Sequence, residues 1–408
     1  MPKRSGERVP VPAGFATLWV TVALDLVGFG IVIPILGLYA TRFGASPTRI
    51  GLLGAVFSLG QFVAAPFWGR LSDRIGRKPV IVASLVGTAL ASLTCGFAGS
   101  LWLLFIARAL DGVSGASLAT AHAAVGDLAP PEERTRLVGL LGAAFGVGFV
   151  LGPTIAGIAA LVARHVWPND PLAPGRLAFF VAAAIAGANA VVAMVRLPET
   201  RGRASPPGRG SSAAKFTRSW GDGGVRGFVG VAFASVLAFS AFEATFALFN
   251  KRRLRFDEGA VSVVFVVIGV LISVVQGGVL RRVIQRLGEL RTLRAGLLLN
   301  ATGLGSLVFV HHWWQLAAPL VLLSAGQGLT TPSLTLATLT RTDPDRRGAV
   351  LGVQQSAGSL ARVFGPISGG ALFQHVGVPA PYFIGASLLA LCALAVSSGG
   401  VDRRVVVS

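Results

Sequence analysis

The sequence predicts an all-α integral membrane protein with twelve transmembrane helices in two pseudo-symmetric six-helix bundles. Three observations predict it. Hydrophobic residues fill 53% of the 408 positions and charged ones only 13%, where a soluble chain carries about 25% charge. Apolar runs long enough to cross a bilayer recur along the whole chain. Gly and Pro positions repeat at one constant offset between the two halves.

A span needs roughly 20 apolar residues. Twelve runs qualify: 15–40, 51–68, 79–99, 101–127, 137–162, 176–196, 226–250, 259–280, 293–311, 313–340, 348–374 and 379–400. The first is longer than the core of a secretory signal and is expected to remain as a span. The short joins at Gly99-Ser100 and His311-His312 imply helical hairpins. Pro and Gly are plentiful inside the runs, as membrane helices tolerate. Cys95 and Cys392 both lie inside apolar runs, so neither a disulfide framework nor a metal site is expected.

The formal net charge of +19 would suggest nucleic acid in a soluble chain. Here the cations line short loops between apolar runs, so the partner is the lipid bilayer and no nucleic acid. With the N-terminus in the cytoplasm, cytoplasmic segments hold 26 of the 36 Lys and Arg residues and outer loops hold 8. Both termini are therefore expected in the cytoplasm of a multi-pass inner (cell) membrane protein. One outer loop runs against the bias, with Lys251, Arg252, Arg253 and Arg255. The expected units are a cytoplasmic tail at 1–14, bundles at 15–197 and 226–400, a linker at 198–225 and a tail at 401–408. The linker is rich in Gly, Pro, Ser and Arg, which reads as flexible. A regulatory or lipid-binding segment is the other reading of its composition.

The halves read as a duplication. Pro131 and Pro344, Gly139 and Gly352, Gly152 and Gly365, Pro153 and Pro366, and Gly157 and Gly370 are each 213 positions apart. Transporters are built from such repeats, with the substrate site between them near the membrane midplane.

Residues 69–79 read Gly-Arg-Leu-Ser-Asp-Arg-Ile-Gly-Arg-Lys-Pro between two apolar runs. This loop resembles the signature loop between the second and third spans of the major facilitator superfamily, filling every fixed position of Gly-x-Leu-x-Asp-Arg-x-Gly-Arg-Lys/Arg. The second-half copy, Gly278 to Glu289, keeps Gly278, Arg286 and Gly288 but has Arg282 at the place of Asp73. The resemblance covers all twelve runs and implies a functional monomer that works by alternating access. It also implies a cytoplasmic gate of Gly69, Asp73, Arg74, Gly76, Arg77 and Asp127. There Asp73 would sit at the N-terminus of the eleventh helix, where the dipole favours an anion, and Arg77 would pair with Asp127. Gly148, Gly152, Pro153 and Gly157 in the fifth span resemble the motif that marks drug-for-proton exchangers in this superfamily. Small residues at four-residue spacing also favour close helix packing in any membrane protein. Asp25 followed by Gly-Phe-Gly-Ile-Val-Ile-Pro, and the Glu243-Ala-Thr-Phe segment, resemble bacterial drug:proton antiporters of the tetracycline-resistance type. In those exporters the first-span acid takes part in coupling.

Charge inside hydrocarbon is expensive and is usually functional or paired. Five embedded charges are the candidates for proton coupling or for the substrate cavity: Asp25, Arg108, Asp111, Glu243 and Arg362. Asp25 stands ten residues into its run, roughly 15 Å deep at 1.5 Å per residue. It can exchange protons as a desolvated acid or be locked to Arg108 or Arg362. Arg108 and Asp111 are one helical turn apart and can neutralise each other. Phe239, Phe242 and Phe246 share a helix face with Glu243. They suit a greasy, weakly cationic or polyaromatic substrate, or form a core or lipid-facing stripe. Asn300, Gln354 and Gln355 are either substrate contacts or interhelical glue. No Gly-x-x-x-x-Gly-Lys-Ser/Thr loop occurs. The energy source is therefore expected to be the proton gradient, with no cofactor and no catalytic or metal residues.

The expected function is proton-coupled efflux of a small hydrophobic drug-like compound, the partners being that compound, protons and lipid. The alternative is a symporter or facilitator importing a metabolite. A polytopic prenyltransferase is disfavoured because no Asp-Asp-x-x-Asp motif occurs.

Overall fold

In the computed structural model, residues 12, 14–129, 131–200, 223–342 and 346–397 are described. They form helices joined by short connections, with no strand among them. The first group comprises α1 (Phe15–Thr41), α2 (Pro47–Ile75), α3 (Arg77–Gly96), α4 (Leu101–Ser114), α5 (Ser117–Leu128), α6 (Pro131–Val166) and α7 (Ala173–Arg196). The second comprises α8 (Gly223–Leu254), α9 (Glu258–Val274), α10 (Leu280–Leu287), α11 (Glu289–Leu307), α12 (Ala317–Thr340), α13 (Arg347–His375) and α14 (Ala380–Ser397). A π turn, Val275–Val279, links α9 to α10.

Among the described residues, eight segments are long and apolar enough to cross a membrane by themselves, from Phe15–Thr41 to Glu258–Leu287; Ala380–Val396 is a shorter apolar helix. The expected runs at 293–311, 313–340 and 348–374 are occupied by α11, α12 and α13. These carry more polar side chains: Glu289, Arg291 and Arg294 in α11, five Thr residues in α12, and Gln354, Gln355 and Arg362 in α13. Most of the expected linker at 198–225 and the tails at 1–14 and 401–408 lie outside the described residues. Gly223–Val225 belong to α8 rather than to the linker.

The packing pattern occurs twice. Helix α1 lies on α6 as α8 lies on α13; α3 lies on α4 and α7 as α11 lies on α12 and α14. The two groups meet mainly where α2 packs on α13 and α6 on α9. Glycine makes these seams possible. A Cβ on Gly51 would overlap the Pro366 carbonyl, one on Gly370 the Pro47 carbonyl, and one on Gly269 the Phe149 carbonyl. Such backbone-to-backbone approach substitutes for the hydrophobic drive that lipid does not supply.

The chain direction defines two ends. The 69–79 loop and the α5–α6, α10–α11 and α12–α13 connections lie at one, here called the loop end. At the opposite end, Phe97, Trp102, Trp167, Phe309, Trp313 and Trp314 are all more than half exposed. The four Trp rings among them are amphipathic and settle at the membrane–water interface. Lys251, Arg252 and Arg253, which run against the charge bias, dock there onto neighbouring segments. Lys251 donates to the Thr41 hydroxyl at 3.2 Å, Arg252 stacks 5.0 Å over the Phe373 ring, and Arg253 donates to the Val310 carbonyl at 3.3 Å.

The expected fourth span is broken. Helix α4 ends at Ser114 and α5 starts at Ser117, with Gly115 and Ala116 between. A free break inside a membrane would strand backbone groups. Ser84 of α3 satisfies it: its hydroxyl accepts from the N–H groups of Ala116 and Ser117 at 3.0 and 3.1 Å and donates to the Ser114 carbonyl at 2.5 Å. We expect Ser84→Ala to destabilise the protein by about 1–3 kcal/mol, the usual effect of an unsatisfied buried group. The check is thermal melting in detergent. A melting curve identical to wild type would show that Ser84 is not the staple.

Candidate functional site

The embedded charges fall into two sets. In the first group of helices, Ser117 at the start of α5 donates a short hydrogen bond to the Asp25 carboxylate of α1. Among the described residues no cation lies within ion-pair distance of Asp25, so it is locked to neither Arg108 nor Arg362. Arg108 is occupied by Asp111 at 2.5 Å and lies 4.2 Å from the centre of the Phe57 ring of α2. The broken span thus presents its fresh N-terminus, whose dipole favours an anion, to an acid without a countercharge.

In the second group, Glu243 of α8 has a carboxylate oxygen that is buried without a hydrogen-bond partner. Arg362 of α13 is the charge that acts on it, from beyond ion-pair distance. Gln354 likewise has a buried, unpartnered amide oxygen, while Gln355 is exposed.

Three expected contacts lie in the protein's core instead. Phe242 and Phe246 are 3% and 0% exposed. Their rings are 4.5 Å apart, and they pack with Tyr382 and Phe265 respectively. Phe239 is partly buried, 5.8 Å from Phe242. The helix face they share with Glu243 turns toward neighbouring helices, which a period of 3.6 cannot distinguish from a cavity. Asn300 is buried in α11 and donates to the Thr330 hydroxyl of α12 at 3.2 Å, bracing one helix against the next.

The fifth-span motif sits directly behind Asp25. A Cβ on Gly148 would stand 2.7 Å from the Leu26 carbonyl oxygen, and one on Gly152 2.5 Å from the Gly30 Cα. Gly157, one turn after the helix-internal Pro153, faces Ser262 of α9 at 3.2 Å. The motif therefore clamps the Asp25 segment on one side and the second group of helices on the other.

At the loop end, Arg77 is a hub. Its guanidinium pairs with Asp73 at 2.6 Å and Asp127 at 2.8 Å, and donates to the Ser72 hydroxyl at 2.8 Å. Glu199 accepts from the backbone N–H groups of Arg77 and Lys78, at 2.8 and 3.2 Å, and caps α3. Gly76 makes the turn between α2 and α3 at φ 106°, a value that strains a side-chain-bearing residue. Gly69 has open space around its Cα, and Arg74 is exposed. Asp73 is 68% exposed and bound to Arg77; no hydrogen bond or ion pair joins it to α13 among the described residues. In the second half Gly288 makes the corresponding turn, at φ 76°. Aligning the two glycines places Gln285, rather than Arg282, across from Asp73, because the π turn and extra loop residues shift the register.

At the opposite end a charge cluster joins the two groups of helices. Arg164 of α6 pairs with both Asp257 and Glu258 at the start of α9, and Arg42 reaches Glu258 at 3.4 Å. The Thr48 N–H donates to the Gln374 amide oxygen at 3.2 Å beside them. Burial pushes the Asp257 carboxyl up, but the Ala260 N–H at 2.7 Å and Arg164 outweigh it and hold the group below its ordinary range. Asp257 therefore stays ionised through neutral pH, and its contribution is lost only as pH falls through its lowered folded value. Ser84, Ser117, Glu199 and Glu258 were not singled out from the sequence. The available signals were a Ser two residues beyond Gly115 and an acidic pair separated by one residue from a basic run.

A profile of the Major Facilitator Superfamily matches residues 18–292 and 279–403. The class C tetracycline resistance protein of Escherichia coli is 30% identical over 393 residues, covering 94% of this chain and 96% of that one. Multidrug resistance protein 1 of Bacillus subtilis (strain 168) is 27% identical over 369 residues, covering 90% and 91%. Among solved structures, the human organic anion transporter MFSD10 superposes with a TM-score of 0.69 at 23% identity, covering 94% of this chain and 98% of that one. The nucleoside transporter NupG superposes at 0.79 and 10% identity, covering 94% and 99%. Helices built to cross a membrane, a matched profile along nearly the whole length and transporter relatives agree: the chain is a multi-pass membrane transporter, not an enzyme, and belongs to the major facilitator superfamily.

Proposed function

We propose that this protein is a twelve-span, proton-coupled exporter of a small hydrophobic, drug-like compound. Its two six-helix bundles, 15–197 and 226–400, rock about a central site with both termini in the cytoplasm. The observation that carries the reading is Asp25. It is an acid ten residues into the first span, held by one serine hydroxyl at a broken helix and not locked to a cation. An acid so placed can release its proton to the cytoplasm and take up a cationic substrate, then reverse outside. Pairing of Arg108 with Asp111 leaves Asp25, among the described residues, as an embedded carboxylate of this bundle without an ion-pair partner. Tetracycline and multidrug resistance proteins among the relatives support export of a drug-like compound.

The cluster of Arg42, Arg164, Asp257 and Glu258, together with the glycine seams at Gly51, Gly370 and Gly157, supports a state closed at the outer face. In this state Asp73 rests on Arg77. In the opposite state Asp73 would dock on the eleventh span and close the cytoplasmic face.

Three outcomes are expected. In acid-loaded proteoliposomes, hydrophobic cationic drugs should evoke proton release from wild type and none from Asp25→Asn. Release of equal size from the mutant would remove Asp25 from the coupling path, and no release from wild type with any drug would remove antiport. Asp73→Asn should reduce drug export at least tenfold with normal expression, and wild-type export would exclude the gate. Glu258→Gln removes one of the two carboxylates on Arg164. In a cysteine-free background it should speed maleimide labelling of Cys placed at Ser262, now 1% exposed, several-fold. An unchanged labelling rate would show that the cluster does not hold the outer face shut.

A further inference from the structure

The second half carries a basic surface that the transport reading does not use. Between the π turn and the second turn of α11 stand Arg281, Arg282, Arg286, Arg291 and Arg294, all exposed. None of the five forms an ion pair with a described residue. The one acid in this stretch, Glu289, is taken by Arg341 at 2.9 Å. The corresponding stretch of the first half is balanced differently: Arg70, Arg74, Arg77 and Lys78 stand among Asp73, Asp127 and Glu199, with Arg77 paired twice.

The position of this surface relative to the bilayer follows from length. Helix α9 and the π turn contain 17 and 5 residues. At 1.5 Å per residue they rise roughly 33 Å, which matches a hydrocarbon core of about 30 Å. Helix α10 therefore begins at headgroup level. Its sequence is amphipathic: Leu280, Val283, Ile284 and Leu287 recur at i, i+3, i+4 and i+7, and Arg281, Arg282, Gln285 and Arg286 fill the other face. It packs chiefly on the π turn, α11 and α12, and open space surrounds Gly277 and Gly278. Val274, Val279 and Leu287 are each more than 40% exposed along the same stretch. An apolar face continuous with a lipid-facing helix, overlaid by arginines without acids, matches an interfacial helix on an anionic leaflet.

We infer that α10 and the start of α11 form a docking surface for anionic phospholipid headgroups, with Arg281, Arg282 and Arg286 holding the phosphates. Arginine suits the task because its planar fork binds phosphate bidentately. The inference does not rest on the direction of transport or on its substrate.

The test uses the full-length protein in mixed micelles of phosphatidylglycerol and phosphatidylcholine, with bound lipid counted by native mass spectrometry. Wild type should retain phosphatidylglycerol preferentially. R281Q/R282Q/R286Q should weaken that retention on the order of a hundredfold, the scale of three arginines at a membrane surface, while R281K/R282K/R286K, which keeps the charge and loses the fork, should fall between the two. Circular dichroism and size-exclusion profiles establish that each variant is folded. Equal phosphatidylglycerol retention by wild type and the folded glutamine variant would overturn the inference, as would equal retention of phosphatidylcholine by wild type. If the glutamine variant does not fold, phosphatidylglycerol binding by wild type that is unchanged between low and high salt overturns it instead.

Discussion

Hydrocarbon offers no hydrogen bonds, so every polar group carried into it must bring its partner along. Much of the local architecture follows from that constraint. The break between α4 and α5 can exist only because Ser84 supplies an acceptor to two N–H groups and a donor to a carbonyl. Once the break exists, a helix N-terminus points inward at mid-membrane, and Asp25 can lie there without a countercharge. Remove the serine staple and the acid loses the polar end that makes its depth tolerable. The site and the packing of α3 on α4 and α5 are thus one arrangement.

Helix association meets a second limit of the same solvent: lipid tails are as apolar as leucine, so close fit must replace hydrophobic drive. The fit comes from glycine against backbone, as at Gly152 on Gly30 and Gly51 on Pro366. Seams of this kind are short-ranged. They are lost over small displacements, so two bundles joined by them can separate at one end without unfolding. Charges at the aromatic-rich end add a longer-ranged hold through Arg164 and Glu258. The basic run at Lys251–Arg255 looks anomalous as loop charge, yet its side chains are engaged: Lys251 reaches α1 across the groups, Arg252 lies over α13, and Arg253 binds the connection after α11.

Apolar length and embedded charge were legible in the sequence because both are local. The Arg108–Asp111 pair follows from helical spacing alone, and an all-helical membrane fold from run length. Contacts between distant segments were not legible. Asn300 bonding Thr330 requires knowing that α11 lies on α12. Phe242 and Phe246 require knowing that α14 brings Tyr382 against them and α9 brings Phe265. A helical stripe has the same period whether it faces a cavity or a core. The lower apolarity of α11, α12 and α13 comes from the polar side chains that they carry and not from burial, since α1 and α8 are the most buried spans and remain strongly apolar.

The duplication is clearest where it is broken. At the loop end, the first residue of α3 is Arg77, bound to Asp127 at the end of α5; the first residue of α11 is Glu289, bound to Arg341 just after α12. The same joint is built twice, after a glycine in the same backbone conformation, with the charges exchanged. Either polarity holds a helix start to its neighbour, so the brace itself explains neither choice. What differs is what remains beside it. With Arg as the hub, the first copy can hold a further acid, the exposed Asp73. With Glu as the hub, the second copy satisfies its single acid and leaves its arginines uncompensated at headgroup depth. Reversal of one ion pair thus divides two related loops into one that keeps an exposed acid beside its hub and one that leaves exposed arginines without an acid.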